Sequence, residues 1–574
     1  SILQSAPFEQ YLLRNIEEIN MKFLRLISLI CAVSLAFCVL GGCASEKNNL
    51  VETDGKHVIT ATNPIMWSDV PDEDVIRVGD TYYMVSTTMY FTPGVPIMKS
   101  KDLVTWNLIG YVYDTLENSP QTDLYGDNHA YGKGSWAASI RYYNDMFYVL
   151  FCAWDQGKTY IYKTADIENP NWERVVFDKV FHDATLFFED DGTPYIISGA
   201  GDVWITELEK DLSAIKPGGV DKKLFNTGIV DGLSGAEGAH AYKINGKYYI
   251  TMISYATSTP GIRRCELCFR SDNLLGEYEG KVVLCDDMGY YGNGTAQGGI
   301  VETPEGNWYA LLFQDHGAVG RIPVLQPVTW EDGWPMMGED SKSAKEISVL
   351  SELDEWHEST LMVNDEFDYT ENKLKLNWQF NHNPDNDNWS VTDRSGWYRI
   401  TTSRVDKDMF HAKNSLTQRT EGPSCTTEAL MDASGLNPGD YAGIAAFQTN
   451  AGFIGIYSDD SGVKHIYFAK QNRNDEMEII REEPLNQDSV YLKIEYSFST
   501  INEDGSITTE DKAKFYYSLD GENWEKLSKG FTMTYDLDLF TGYRTALYCY
   551  STKEAGGHAD FDYYHVTKNG AAIE

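Results

Sequence analysis

Three carboxylates in this 574-residue chain sit where acid–base chemistry needs them. Asp72 lies in Pro71-Asp72-Glu73-Asp74, Asp183 in Phe181-His182-Asp183-Ala184-Thr185-Leu186, and Glu237 in Gly235-Ala236-Glu237-Gly238-Ala239-His240. Each stands just before an apolar run that reads as a strand. Small residues on both sides of Glu237 leave room for a ligand. Hydrolysis of a glycosidic bond uses this inventory: one carboxylic acid protonates the leaving oxygen and one carboxylate activates water. A third carboxylate tunes the acid, because a nearby like charge raises a carboxyl pKa. Carboxylates are abundant here, with 86 Asp plus Glu, so these three carry meaning only if the fold brings them together.

The elements that must do so repeat. Val75 to Val85 is an apolar run, a Gly79-Asp80 turn, and a second run opened by an aromatic pair. That is a β-hairpin pattern. Four more copies follow, with turns at Asn144-Asp145, Asp191-Gly192, Asn245-Gly246 and Glu305-Gly306. Their turn-proximal tyrosines, Tyr83, Tyr148, Tyr195, Tyr249 and Tyr309, are 65, 47, 54 and 60 residues apart. One hairpin per unit at such a period predicts a β-propeller of five blades. A second repeat, Ser100-Lys101-Asp102-Leu103, Thr164-Ala165-Asp166-Ile167 and Ser271-Asp272-Asn273-Leu274, reads as outer-strand turns. In a propeller the starts of the hairpins converge on one mouth of the central channel. Asp72, Asp183 and Glu237 would meet there.

The length predicts two or three domains. The formal charge of −39 makes nucleic acid and anionic membrane surfaces poor partners, so no nucleic acid is expected. Residues 1–20 read as an upstream extension. Residues 21–43 read as a lipoprotein signal peptide: a basic Met21-Lys22-Phe23-Leu24-Arg25, an apolar Leu26 to Leu40, then the lipobox Leu40-Gly41-Gly42-Cys43. The expectation is export in a Gram-negative-type bacterium and lipidation at Cys43. The protein would then be anchored by lipid alone on the periplasmic or surface face of an outer membrane. A tether at 44–59 leads to the propeller at 60–337, a connection at 338–364 and a second domain at 365–574. Short β runs split by Gly, Asn and Asp turns make that second domain a β-sandwich. Its last alternating stretch, Ala559 to Tyr564, is expected as an edge or closing strand. Cys265-Glu-Leu-Cys268 has the spacing of a metal pair without a second pair. In a strand its two thiols face opposite sides, so both are expected in the core.

At this point the residues resemble a known family. Pro71 to Tyr83, Pro93-Gly94-Val95-Pro96-Ile97, Trp136-Ala137-Ala138-Ser139-Ile140, Glu237-Gly238-Ala239-His240 and Gln314 to Arg321 together resemble glycoside hydrolase family 43. With the C-terminal sandwich, the pattern is similar to its β-xylosidase and α-L-arabinofuranosidase branch. The resemblance implies an all-β chain: a five-bladed propeller followed by a concanavalin-like jelly roll. It implies an inverting exo-glycosidase that releases terminal α-L-arabinofuranosyl or β-D-xylosyl residues from plant cell-wall polysaccharide or oligosaccharide. Asp72 would be the base, Asp183 the modulator and Glu237 the acid, with base and acid about 6.5–9.5 Å apart. Arg321 would contact the sugar and Trp136 line the pocket, where Met89 and Phe91 also fall. An endo-acting enzyme on the same fold, or a glycan-binding lipoprotein, remain the alternatives.

Three departures from the family pattern matter. Glu73 stands where relatives often carry Pro and is expected to add a charge beside Asp72. Met89 stands where some β-xylosidases have Phe. Gln297 stands where many members have a His near an axial cation. No cofactor is required. The resemblance leaves room for an axial Ca2+, with His316 as a candidate metal ligand.

Overall fold

The computed structural model describes residues 48, 50–53, 55–233, 235–255 and 259–573. The expected leader and Cys43 lie outside the described residues. The chain is all-β: among the described residues the helical elements are three 3-10 turns of three residues each.

Five four-stranded antiparallel sheets, each built from consecutive strands, form the blades of a propeller. Their innermost strands are Asp74–Val78, Ser135–Tyr143, Thr185–Phe188, Glu237–Ile244 and Ala296–Glu302. Each packs against the next and the fifth against the first. The predicted hairpin turns connect first and second strands in every blade. At Asn144-Asp145 and Asn245-Gly246 both residues take positive φ, the geometry that matches the twist of the flanking strands. The second repeat is equally physical. Ser100, Thr164 and Ser271 accept backbone N–H groups of the turn between third and fourth strands.

Apolar side chains fill the space between neighbouring blades. Val85 and Phe147 mark the first gap, Leu150 and Leu186 the second, Ile197 and Ile250 the third, Tyr249 and Leu312 the fourth. The gap between the fifth and first blades closes differently. Among the described residues no strand crosses from one blade into the other. Instead a two-stranded ribbon, His57–Thr62 paired with Glu346–Ser351, lays Ile59, Ala61, Ile347 and Val349 against Val75 and Leu311. The 338–364 stretch, expected as a plain connection, therefore carries half of the clasp. Cys265 and Cys268 are buried on opposite faces of the fourth blade, in different cores.

The C-terminal domain is a sandwich of two antiparallel sheets around a core that includes Trp378, Tyr398, Phe515 and Tyr564. One sheet ends in a strand borrowed from the propeller: Phe91–Thr92 pairs with Gln379–Asn381. The expected closing strand is not an edge. His558–Lys568 lies between Tyr398–Thr401 and Ser424–Asp432. Its Asp560 is ion-paired with Arg399 and Arg394.

Candidate active site

The five inner strands reach the upper mouth through the same backbone device. One residue per blade takes a positive φ there: Asp72 (57°), Ala137 (35°), Asp183 (45°), Gly238 (70°) and Gln297 (59°). In blades two, four and five this residue is a bulge that shifts the register. Asp tolerates this conformation better than most side chains, and Gly without strain. All five residues line one small cavity on the propeller axis.

Asp72 is held from two sides. Its Oδ1 accepts from Arg321 Nη1 at 2.8 Å, and its Oδ2 from Thr87 Oγ1 at 2.7 Å. The Thr87 hydroxyl in turn accepts the Ala137 N–H. Arg321 and Asp72 are nearly buried, with 5% and 8% of their side chains exposed. Beside them Glu73 is fully buried, and neither of its carboxylate oxygens has a partner. Burial pushes its carboxyl well above the ordinary value. The second charge expected beside Asp72 is thus disfavoured, because burial, with the Asp72 and Asp69 charges, outweighs the backbone hydrogen bond and the Arg321 charge that favour it.

Asp183 and Glu237 meet across His182, whose Nε2 lies 2.8 Å from Glu237 Oε2 and whose Nδ1 lies 3.5 Å from Asp183 Oδ1. Burial pushes the Asp183 carboxyl up to about 7, with the Glu237 and Asp72 charges adding to it and His182 opposing it. Burial also works against ionisation of Glu237. There the His182 hydrogen bond and charge, with Tyr255 and Arg264, outweigh it and hold the carboxyl below its ordinary value. Burial opposes the charge of His182, but the Glu237 hydrogen bond and the Asp183, Glu237 and Asp72 charges outweigh it and raise the pKa.

Aromatic rings wall the cluster. Trp136 sits 6.1 Å from the His182 ring and 6.1 Å from Trp154, which is 43% exposed at the mouth. Phe540 arrives from the sandwich. Its ring is edge-on to Trp136 at 5.5 Å and lies 4.5 Å from the Arg321 guanidinium carbon. The segment carrying it is tied to the propeller through Asp69, which accepts from Arg321 N and from Gly542 N, each at 2.9 Å. Neither Met89 nor Phe91 lines the wall as expected. They are 2% and 0% exposed inside the interdomain core, where the Arg544 guanidinium lies over the Phe91 ring at 3.7 Å.

Gln297 lines the axial cavity, and its backbone N–H donates to the buried Glu266 at 2.8 Å. Below it the axis is filled. Arg141 bonds Asp74 of the first blade and Thr185 of the third, each at 2.5 Å, and faces the Tyr242 ring of the fourth. Asp74 also has His240 Nδ1 at 3.1 Å. Burial opposes its charge, but Arg141 and His240 outweigh that and lower its pKa. The positive charge on the axis is therefore a guanidinium. His316 is away from it, buried and stacked on Tyr290 at 3.8 Å with Nε2 bonded to Gln314. Burial takes its pKa down to about 3, and no carboxylate accompanies it. Among the described residues, the one group of three His, Asp or Glu side chains close enough to share a cation is His182, Asp183 and Glu237. There, against its burial, Glu237 and Asp183 favour the protonated form of His182.

Sequence reasoning placed Asp72, Asp183, Glu237, Trp136, Arg321 and Gln297 around one cavity, and the structure brings them together. It missed Trp154, Tyr255, Arg264 and Phe540, which no local motif marks. It also passed over His182, whose adjacency to Asp183 was the available signal.

The sequence profile of glycosyl hydrolases family 43 matches residues 61–335. That of the beta xylosidase C-terminal concanavalin A-like domain matches residues 364–567. The chain is 28% identical to a beta-xylosidase of Formosa agariphila, over 95% of this chain and 98% of that one. It is 31% identical to a non-reducing end alpha-L-arabinofuranosidase of Bacteroides ovatus, over 60% of this chain and 66% of that one. A solved structure of a bifunctional GH43-CE protein of Bacteroides eggerthii superposes with a TM-score of 0.81 at 42% identity. That match covers 89% of this chain, which spans 64% of the bifunctional protein.

Proposed function

The chain belongs to glycosyl hydrolase family 43 and is a glycoside hydrolase, and from that premise we propose that it removes single terminal pentosyl residues, α-L-arabinofuranosyl or β-D-xylosyl, from plant hemicellulose fragments with inversion. The observation that carries the reading is the gathering of Asp72, Asp183 and Glu237 with Arg321 at one mouth of the propeller. Asp72 takes a proton from the attacking water, its carboxylate aimed by Arg321 and Thr87. Glu237 gives a proton to the leaving oxygen. Asp183 remains a buried carboxyl that disfavours further negative charge around Glu237. The nonpolar faces of Trp136 and Phe540 suit the apolar side of a sugar ring. Like other members of its family, the enzyme works without a cofactor.

Phe540 supports the exo reading. A ring from the second domain that presses on Trp136 and Arg321 walls one side of the cavity, so a chain end fits better than a chain interior. The choice between the two pentoses rests on single-group contacts, each worth only about 1–3 kcal/mol.

The test uses protein beginning after Cys43 and the p-nitrophenyl glycosides of α-L-arabinofuranose and β-D-xylopyranose. Release of either sugar, abolished in Asp72→Asn, is the expected result. Normal turnover in that variant would remove Asp72 from the chemistry. Proton NMR of the first-formed sugar reads the anomer, and a retained configuration would refute inversion. We also propose lipid anchoring at Cys43 of the exported protein. Mass spectrometry of protein expressed with its own leader should find a diacylglyceryl adduct, absent in Cys43→Ala.

A further inference from the structure

His182 is placed as no spectator would be. Its Nε2 is 2.8 Å from the carboxylate that must deliver a proton, and its Nδ1 has no hydrogen-bond partner. The ring stands among aromatic faces, 6.1 Å from Trp136 and 5.7 Å from Trp154, with 23% of the side chain exposed. The groups that face it are Glu237 from the fourth blade, Asp183 at its own strand, Asp72 from the first blade and the neutral indoles of the second. Tyr255 and Arg264 lie beyond Glu237.

We propose that His182 is a positioning residue that stores the proton Glu237 delivers, so the working acid is the His182–Glu237 pair. This rests on the reading of Glu237 as the acid. In the free enzyme the pair is an imidazolium facing a carboxylate. When the glycosidic oxygen approaches Glu237, the proton shifts from Nε2 to the carboxylate. As the bond from the anomeric carbon to that oxygen breaks, the oxygen takes this proton and leaves as an alcohol. The hydroxyl of water bonds to the anomeric carbon, and its remaining proton goes to Asp72. Exchange with solvent then discharges Asp72 and recharges His182, so protons balance over the cycle. The directions of the Glu237 and His182 shifts agree with this arrangement: Glu237 alone holds a proton poorly, and its neighbour holds one well.

The experiment compares wild type with His182→Gln, whose amide can still donate to Glu237 but cannot give up a proton. Profiles of kcat/KM against pH are measured on an unactivated disaccharide and on a dinitrophenyl glycoside, whose leaving group needs no proton. The expected result is a loss on the disaccharide about 100-fold, at least tenfold larger than the loss on the activated substrate. The alkaline limb on the disaccharide should also move down by a pH unit or more. Equal losses on the two substrates, or an alkaline limb unmoved, would overturn the proposal. Glu237→Gln run alongside keeps the two readings apart. If it retains disaccharide turnover, Glu237 is not the acid, whatever His182 does.

Discussion

Phe540→Ala isolates what the second domain contributes to the catalytic pocket. Across the pocket the ring meets the Arg321 guanidinium at 4.5 Å and Trp136 edge-on at 5.5 Å. A cation–π contact away from water is worth about 2 kcal/mol. An edge-to-face pair adds roughly 0.5–1.5 kcal/mol. Together they come to about 2.5–3.5 kcal/mol, which would lower kcat/KM by roughly 70- to 400-fold if all of it served the transition state. The ring is only partly buried, and water will replace some of what it gives. A loss of about 10- to 100-fold is therefore expected. Arg321 keeps its bond to Asp72, so the proposed base is retained while the proposed wall of the sugar site is lost. KM should rise along with the fall in kcat. The assay is initial rates on both chromogenic pentosides, with thermal unfolding as a folding control. Leu537→Ala, on the same segment but 70% exposed, should leave rates unchanged. Activity of Phe540→Ala within threefold of wild type would refute the idea that the sandwich completes the pocket.

Other perturbations test other parts. Glu237→Gln should lose about 100-fold or more on substrates with poor leaving groups and much less on activated aryl glycosides; equal losses would disqualify it as the acid. Arg141→Met takes the guanidinium from Asp74, whose side chain is fully buried, leaving it His240 and the Ile140 N–H, and should cost about 3 kcal/mol of stability. An unchanged melting temperature would show that the axis does not depend on this pair. With a guanidinium on the axis, a chelator should leave activity intact, and a loss restored by calcium would refute that. Burial pushes the Glu266 carboxyl from an ordinary 4.5 to about 8. The folded protein then keeps a proton that the unfolded chain releases. Its contribution is fully present below about pH 4.5 and falls away as pH rises towards 8, by up to about 1.4 kcal/mol per unit. Glu266→Gln should flatten that slope, seen as urea midpoints at pH 5 and pH 8 that lie closer together than in wild type.

Much of this architecture is written locally. The Asn144-Asp145 and Asn245-Gly246 turns and the apolar runs beside them fix hairpins without help from the rest of the chain, and their recurrence counts the blades. The three candidate carboxylates are legible for the same reason, since each stands at or just before the start of an inner strand. What the sequence hides is set by partners far along the chain. Phe91 looks like a pocket aromatic by position. Its backbone instead joins the sandwich sheet at Gln379–Asn381, and its ring goes into the interdomain core. Phe540 has no motif, because its role depends on how Asp69 and Gly542 dock two domains. Glu73 reads as a charge because sequence does not report burial. The Ala559 to Tyr564 stretch alternates like an edge strand, yet Asp560 faces arginines rather than water.

The ribbon that closes the propeller has a consequence for how the chain is made. His57–Thr62 leaves the ribosome about 280 residues before its partner Glu346–Ser351. At roughly 5–20 residues per second, that is a wait on the order of 15–60 s. For most of it the first blade has no neighbour on the fifth-blade side, and Ile59 and Ala61 have only first-blade residues such as Val75 to pack on, without Leu311, Ile347 and Val349. Phe91–Thr92 waits about as long for Gln379–Asn381. Blades two to four can each form behind the ribosome as they emerge, but the first-born blade is the last to be sealed. Any insertion in the intervening loops lengthens its exposure without changing a single native contact. The yield of folded protein is therefore tied to the length of the chain between the two halves of the clasp.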